Sequence, residues 1–486
     1  MFSLLLLAAV SFGISTLLTP LFRDLCHRWG MVDQPDGARK IHAVPIPRIG
    51  GVPILLAYAG AFGALFLTPM QGKAIAQSGV DLALRLLPAL AVTFLTGLID
   101  DLRHLRPSAK LAGQLAAATL AFAAGVRISG VAGIEFGLVL SFAVTLGWFV
   151  VCMNAFNLID GLDGLASGVG LCGALTVLAA AWMQGNFALA MAAVPLAGAL
   201  AGFLRFNRAP ASVFLGDSGS LLIGFLLGSS GIIWGQKSAT LFSMSAPVIA
   251  MALPIGEMVL STVRRMMRGQ PISQADRRHI HHRLLDQGLT PRRAAYLLYG
   301  VCAVFAALSL SLGFIQQRFA GLVVIAFCGA VWYGIRNLGY HEFQVAGDLI
   351  AGGAFQQLLD VQVELRQLSE SLDAAESWDA RVEVLRRACR AFGFCGFELR
   401  LPGETVSALD HYTAAVKIRI EAPLANGGAI VLERELNQQR RQLAVPEFTR
   451  VVREHLSAPV ATSADSLGAL ARAASAGAGV TAPVPR

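Results

Sequence analysis

Residues 132–183 read AGIEFGLVLSFAVTLGWFVVCMNAFNLIDGLDGLASGVGLCGALTVLAAAWM. Residues 132–151 and 165–183 are mainly apolar runs of the length, about 20 residues, that crosses the hydrocarbon core of a bilayer as a helix. Between them lie Asn154, Asn157, Asp160, Gly161, Asp163 and Gly164. Asn154, Asn157 and Asp160 recur at every third position, so a helix lines them along one face. Gly161 and Gly164 let the backbone turn sharply or approach a ligand. Amides and carboxylates wedged between two membrane spans are costly to keep and mark functional sites. The stretch predicts an all-α polytopic membrane protein whose chemistry sits where spans end.

Working outward with the same ruler, further spans fall at 2–22, 49–69, 82–99, 110–127, 187–204, 219–235, 240–262, 294–314 and 319–336, about eleven transmembrane helices in all. Of the 486 residues 55% are hydrophobic and only 14% charged, with a mean hydropathy of +0.60; a soluble domain carries about 25% charged residues. The run Met1 to Phe22 has no basic leader and no suitable cleavage site, so it reads as a first span with an external N-terminus. The loops 23–48, 100–109, 152–164, 205–218 and 263–293 then face the cytoplasm. They carry most of the loop cations, among them Arg205, Arg208, Arg264, Arg265, Arg283 and Arg292, as the positive-inside rule requires. The net charge of +8 is accounted for by these loops, and no interleaved basic and aromatic surface calls for nucleic acid. The seven cysteines form no CxxC pair, so neither a zinc site nor a disulfide framework is indicated.

After residue 336 the charges become dense. Residues 349–371, 374–392 and 445–456 have helical periodicity, while 397–401, 414–420 and 429–433 read as short strands. The expected organisation is a transmembrane domain at 1–336, a small cytoplasmic α+β domain at 337–457, and a disordered tail at 458–486 that lacks large apolar groups to bury.

Four further constellations fall on the same predicted face. Asp100 and Asp101 end the third span, where one carboxylate suits a cation and the other a phosphate. In FLGDSGS (214–220), glycines expose backbone N–H groups to phosphate while Asp217 faces a hard cation. In HIHHRL (279–284), His279, His281, His282 and Arg283 read as an anion-recognition patch rather than as zinc ligands. In DQPDGARKIHAVPIPRIGG (33–51), Arg39, Lys40, His42 and Arg48 either clasp phosphate or anchor lipid headgroups. Carboxylates and amides beside phosphate-binding cations suit Mg²⁺, which bridges protein carboxylates to substrate phosphates. A transporter would scatter such groups to mid-membrane or to both sides, and a noncatalytic scaffold would not need them intact.

These five ordered motifs, with NAFNLIDGLDGLA (154–166) among them, resemble the polyprenyl-phosphate N-acetylhexosamine-1-phosphate transferase superfamily, glycosyltransferase family 4, over residues 1 to about 335. Ile280 interrupts the three-histidine run typical of the muropeptide branch, so the nearer resemblance is to the undecaprenyl-phosphate GlcNAc-1-phosphate transferases. Glu257 stands where that branch often has aspartate, which leaves the sugar open. The resemblance implies transfer of a HexNAc-1-phosphate from a UDP-sugar to undecaprenyl phosphate, releasing UMP, at the inner membrane of a bacterium and early in cell-envelope polysaccharide synthesis such as O-antigen. It implies catalytic roles for Asp100, Asp101, Asp160 and Asp163, with Asp217, Asp101 and Asn157 at Mg²⁺, for which Mn²⁺ can substitute. Arg39, Lys40, His42, Asn154, Asn157, His279, His281, His282 and Arg283 would contact substrate. The implied partners are undecaprenyl phosphate, a UDP-N-acetylhexosamine and membrane lipids, with a second copy of the chain or a downstream glycosyltransferase as protein partner and no nucleic acid.

Overall fold

The structure is a computed structural model that describes residues 1–34, 44–70, 72–131, 134–236, 251–267, 279–311, 322, 325–331, 333–334, 354–392, 394, 396–401, 404–409, 417–424, 428–435 and 445–456. The chain divides into two compact units, Met1–Phe343 and Gln344–Arg486.

The first unit is a helical bundle. Its helices are α1 (Phe2–Trp29), α2 (Gly51–Leu67), α3 (Gly72–Ser78), α4 (Val80–Arg103), α5 (Pro107–Ala123), α6 (Leu138–Ile159), α7 (Leu165–Met183), α8 (Phe187–Asn207), α9 (Gly216–Gln236), α10 (Ala252–Met267), α11 (Ile280–Asp286) and α12 (Pro291–Ser311). Among the described residues seven helices are long and apolar enough to cross a membrane: α1, α4, α6, α7, α8, α9 and α12. The protein is a multi-pass membrane protein. Of the other expected spans, the second and fourth are the 17-residue helices α2 and α5, and the ninth is described only from Met251 onward. The expected span at 319–336 lies largely outside the described residues.

One boundary moved in a way that matters. The span expected at 132–151 is a helix over Leu138–Ile159. Gly130–Val131 and Ile134–Glu135 instead form a small antiparallel pair, β1 and β2. Asn154 and Asn157 therefore belong to the last turns of α6, pointing from a rigid helix rather than from a loop.

The α7, α8 and α9 segments are about 70% buried (67–72%), whereas α1, α4, α6 and α12 are 17–33% buried. The first three form the centre, and the outer helices turn apolar side chains outward, as lipid permits. Small residues let backbones approach, since helices in lipid associate by close packing rather than by hydrophobic exclusion. A Cβ at Gly202 of α8 would lie 2.7 Å from the Phe12 carbonyl oxygen of α1, and the Ser15 hydroxyl of α1 donates to the Ala199 carbonyl at 2.7 Å.

The second unit contains α13 (Ala354–Ala374), α14 (Trp378–Ala391), α15 (Val445–Leu456) and an antiparallel sheet in the order β4-β3-β6-β5. Its strands are β3 (Gly396–Leu401), β4 (Glu404–Leu409), β5 (Lys417–Pro423) and β6 (Ala429–Glu435). Phe397 pairs with Leu432 and Leu399 with Ile430, all four buried in one core with Leu385, Phe448 and Val452. The alternate positions carry ion pairs, Arg400 with Glu398 at 2.9 Å and Arg419 with Glu433 at 2.6 Å. Strand β4 has no counterpart in the expected elements, because ETVSAL alternates too weakly to be read from sequence. The tail expected at 458–486 lies outside the described residues.

Candidate active site

The site is built where helices begin and end. Helix α9 starts at Gly216 with φ 72°, a left-handed conformation that favours glycine. The orphan N–H groups of its first turn are taken by Asp101 from the end of α4. Asp101 Oδ1 accepts from Asp217 N at 2.7 Å, and Oδ2 accepts from Ser218 N at 2.9 Å and from the Ser218 hydroxyl at 2.6 Å. A Cβ at Gly216 would lie 2.7 Å from the Asp101 carboxylate oxygens, so the glycine also makes room for the cap. Asp101, expected at a metal or in catalysis, has both carboxylate oxygens hydrogen-bonded to the start of α9.

Asp100, one residue earlier, has a different task. Its Oδ1 accepts from Leu105 N at 2.6 Å, closing the end of α4, and its Oδ2 faces the Lys110 ammonium at 3.0 Å. Pro107 opens α5, a favoured place for a residue without an N–H, and this sets Lys110 in the first turn of that helix. From there Lys110 donates to Asn157 Oδ1 at 3.0 Å and pairs closely with Asp217 Oδ2. Asn157 Nδ2 donates to Asp217 Oδ1 at 2.6 Å and to the Ser220 hydroxyl at 3.1 Å. Oxygens of Asp100, Asn157 and Asp217 thus converge on one cation. Sequence reasoning missed Lys110, although a lysine just inside an apolar span is itself a signal of function.

Arg48 approaches the same carboxylate from another side, its guanidinium 3.8 Å from Asp217 Oδ1. The Arg48 backbone bridges to Phe214, with Gly50 N donating to Phe214 O at 3.0 Å and Phe214 N to Pro47 O at 2.9 Å, so the loop before α2 is tied to the segment before α9. Burial works against the Arg48 charge, but Asp101, Asp217, Asp160 and Asp33 outweigh it and raise its pKa. Asp160, just past the end of α6, is pushed well above the usual carboxylate range by burial; Arg48 opposes this, while Asp217 and Asp101 add to it. Arg39, Lys40 and His42 lie outside the described residues.

Asn154, expected at substrate, pairs with Gln114 of α5. Its Nδ2 donates to Gln114 Oε1 at 2.7 Å and to Val150 O at 2.8 Å, and Gln114 Nε2 donates back to Asn154 Oδ1 at 3.3 Å. This reciprocal amide pair joins α5 to α6, because a buried amide in an apolar bundle must find partners within the protein. Asp163 Oδ2 accepts from Ala211 N at 2.9 Å, binding the turn before α7 to the turn before α9.

The histidine patch gathers nearby. His279 precedes α11, so all three rings meet although His281 and His282 are adjacent on the helix: the centroids of His279 and His281 lie 5.6 Å apart, and those of His281 and His282 4.4 Å apart. Glu257 organises them from α10. Its Oε1 contacts His279 Nδ1 at 2.8 Å and its Oε2 accepts from Ile280 N at 3.0 Å. This second use of Glu257, as a clamp on the patch, is not visible in its sequence neighbourhood. A Cβ at Gly161 would lie 2.6 Å from His281 Nε2, which places the patch against the DGLDG turn.

His281 is buried, and among the described residues its Nε2 has no hydrogen-bond partner. Burial, then the neighbouring His282 and His279, lower its pKa from 6.5 to about 3. The fold holds His281 neutral down to about pH 3, while the unfolded chain protonates near 6.5. Its contribution to stability is therefore fully present above about pH 6.5 and is lost as the pH falls towards 3. Melting the purified protein from about pH 8 to about pH 5 should show a midpoint that declines below about pH 6.5 by several degrees, and His281→Asn should flatten that decline. An equal slope in the variant would contradict this account.

Among the described residues no three His, Cys, Asp or Glu side chains converge as a metal-binding group. The oxygens on hand for a metal are those of Asp217, Asp100 and the Asn157 amide, which here hold the Lys110 ammonium, together with oxygens of a substrate. That donor set fits Mg²⁺, which takes one or two carboxylates and completes its shell with phosphate and water. The point where three oxygens meet the Lys110 ammonium already has the character of a cation position.

The sequence pattern described as glycosyl transferase family 4 matches residues 83–235, which span Asp100 to Asp217. A Bacillus subtilis protein named probable undecaprenyl-phosphate N-acetylglucosaminyl 1-phosphate transferase is 31% identical over 308 residues, covering 61% of this chain and 82% of the relative. The chain belongs to glycosyl transferase family 4. A Mycobacterium tuberculosis decaprenyl-phosphate N-acetylglucosaminephosphotransferase is 34% identical over 59% of this chain and 78% of its own. An Escherichia coli undecaprenyl-phosphate alpha-N-acetylglucosaminyl 1-phosphate transferase is 28% identical over 61% and 80%. Within the family these relatives set the chain in the polyprenyl-phosphate GlcNAc-1-phosphate transferase branch. In this family 4 glycosyl transferase, the matched segment holds the whole convergence of Asp100, Lys110, Asn157 and Asp217.

Proposed function

We propose that the protein transfers GlcNAc-1-phosphate, or another HexNAc-1-phosphate, from a UDP-sugar to undecaprenyl phosphate, giving undecaprenyl-diphospho-HexNAc and UMP. One observation carries the reading: oxygens of Asp100, Asn157 and Asp217 meet at the Lys110 ammonium, with Arg48 beside them. This is an arrangement for neutralising and aligning phosphates at the end of a membrane bundle, which is where a lipid phosphate lies. The names of the relatives supply the polyprenyl phosphate and the N-acetylglucosamine.

An oxygen of the lipid phosphate attacks the β-phosphorus of the UDP-sugar, a new P–O–P bond forms, and the bond to UMP breaks. A phosphate monoester is largely dianionic near neutral pH, so the reaction needs positioning more than a strong base. Asp100 positions the acceptor, or takes its remaining proton. Lys110 and Arg48 hold the donor's diphosphate, and the His279–His282 patch with Arg283 receives the sugar or diphosphate. Bound among Asp217, Asn157 and Asp100, Mg²⁺ would supply charge neutralisation for the diphosphate and the departing UMP. The concentration of arginine in the loops at this end supports a cytoplasmic site with the N-terminus on the far side of an inner membrane.

Membranes containing the protein, incubated with labelled UDP-HexNAc donors, undecaprenyl phosphate and Mg²⁺, should yield UMP and a lipid-linked diphosphosugar. EDTA should stop turnover, and Mg²⁺ or Mn²⁺ should restore it. Failure with every HexNAc donor would overturn the substrate, whereas turnover that survives EDTA would overturn the metal alone.

A further inference from the structure

A crevice of about 190 Å³ that shares none of the four groups of the convergence described above lies between the end of α8 and the first turns of α12. Arg205 and Arg208 line it from α8 and its cap, Arg292, Tyr296 and Tyr299 from α12, and Asp163 from the turn before α7. Three arginines and one aspartate therefore line a single concavity. Among the described residues none of the three arginines is ion-paired, and Arg292 Nε makes a 3.4 Å contact with the Tyr296 hydroxyl. A guanidinium fork matches phosphate oxygens two at a time, and several forks around one concavity suit a tetrahedral anion better than a planar carboxylate. At about 30 Å³ per water the crevice holds roughly six waters, room for a phosphate group.

The crevice is tied to the neighbouring turns by hydrogen bonds. The Tyr299 hydroxyl donates to Gly164 O at 2.6 Å, and Gly164 is the left-handed residue that starts α7. Asp163 holds Ala211, three residues beyond Arg208, on the segment that leads into α9. On the same helix Tyr296, Leu297 and Val304 are about half exposed, at 51%, 48% and 54%. An apolar helix face with a tyrosine and arginines at its end is the pattern of a membrane interface, and basic pockets between spans are where lipid headgroups are held.

We infer that the Arg205–Arg208–Arg292 crevice is a second phosphate-binding site, distinct from the Asp100–Lys110–Asn157–Asp217 convergence, that takes the phosphodiester of an anionic lipid headgroup or a soluble phosphate. Binding there ties α8, α12 and the DGLDG turn together through one ligand.

The test uses the full chain in phosphatidylcholine nanodiscs, with phosphatidylglycerol added as one probe and inorganic phosphate as the other. Each probe is read as a shift in melting midpoint, which needs no turnover and so stands apart from the proposed reaction. A variant carrying Arg205→Gln, Arg208→Gln and Arg292→Gln is compared with one carrying Arg28→Gln, Arg103→Gln and Arg293→Gln, three exposed cations at the same end of the bundle. The wild type and the second variant should gain on the order of 2–5 °C with at least one probe, and the crevice variant less than half of that. A response to phosphatidylglycerol alone identifies the lipid headgroup, and a response to phosphate alone identifies a soluble anion. The site is overturned if neither probe shifts the wild type, or if the crevice variant responds as the wild type does. Should the triple variant fail to fold, Arg292→Gln alone, on the exposed first turn of α12, should lose about half of the shift, and a full shift there overturns the site equally.

Discussion

Asp217→Asn should lower turnover by roughly 10³-fold, the upper end of what one pre-set electrostatic partner contributes, while the protein still inserts and melts within a few degrees of the wild type. The two halves of this expectation come from different atoms. What holds the start of α9 is the Asp217 backbone N–H, which donates to Asp101 at 2.7 Å and is untouched by the substitution. What the substitution removes is a charge that Lys110 pairs with, that Arg48 approaches at 3.8 Å, and that accepts from Asn157 at 2.6 Å. An amide of the same shape leaves two cations facing one fewer anion and weakens any hard-cation position there. UMP release from labelled donor, measured beside a melting curve, separates loss of chemistry from loss of fold. Normal turnover in the variant would sink the role of Asp217.

The residues of this site were legible in sequence to different degrees, and the reason is physical. Polar groups in an apolar chain stand out because lipid penalises them, so Asp100, Asn157, Asp160, Asp163 and Asp217 could be picked out with no structure. What each one does was less visible, since partners lie far away along the chain. Asp101 and Asp217 are 116 positions apart, and only the fold reveals that the first caps the helix carrying the second. Adjacent aspartates read as a pair with shared chemistry, yet α4 sends Asp100 towards Lys110 and Asp101 towards the start of α9. Asn154, Asn157 and Asp160 were expected on one helical face; Asn154 and Asn157 lie on α6, bonded to Gln114 and to Asp217 respectively, while Asp160 falls just past the end of that helix.

The helical ruler worked where spans are long and lost accuracy where they are short. Helices α2 and α5, each of 17 residues, rise about 25 Å at 1.5 Å per residue, less than the roughly 30 Å hydrocarbon core. These two short helices carry Gly51 and Lys110 near their starts, with Arg48 three residues before α2. A Cβ at Gly51 would lie 2.6 Å from Gly219 N, so α2 begins in contact with the first turn of α9.

Lys110→Met should reduce turnover by roughly 10²-fold or more and should also change how the protein responds to Mg²⁺. In the wild type one ammonium compensates Asp100 and Asp217 and orients Asn157. Without it, carboxylates at the ends of α4 and α9 face each other with Arg48 as the remaining nearby cation, and like charges so placed repel. The variant should melt lower than the wild type in EDTA and regain most of the difference when Mg²⁺ is added, because a divalent ion can replace the missing charge. Its turnover should stay low even at saturating Mg²⁺, since the metal does not restore the ammonium that would grip the donor's diphosphate. Lys110→Arg keeps the charge in a longer, planar fork that cannot meet three oxygens at one point, so it should melt near the wild type yet turn over slowly. If Lys110→Met matched the wild type in turnover, the convergence on Lys110 would be a structural ion pair rather than part of the site. If Mg²⁺ failed to restore its melting midpoint, the three oxygens would not form a cation position.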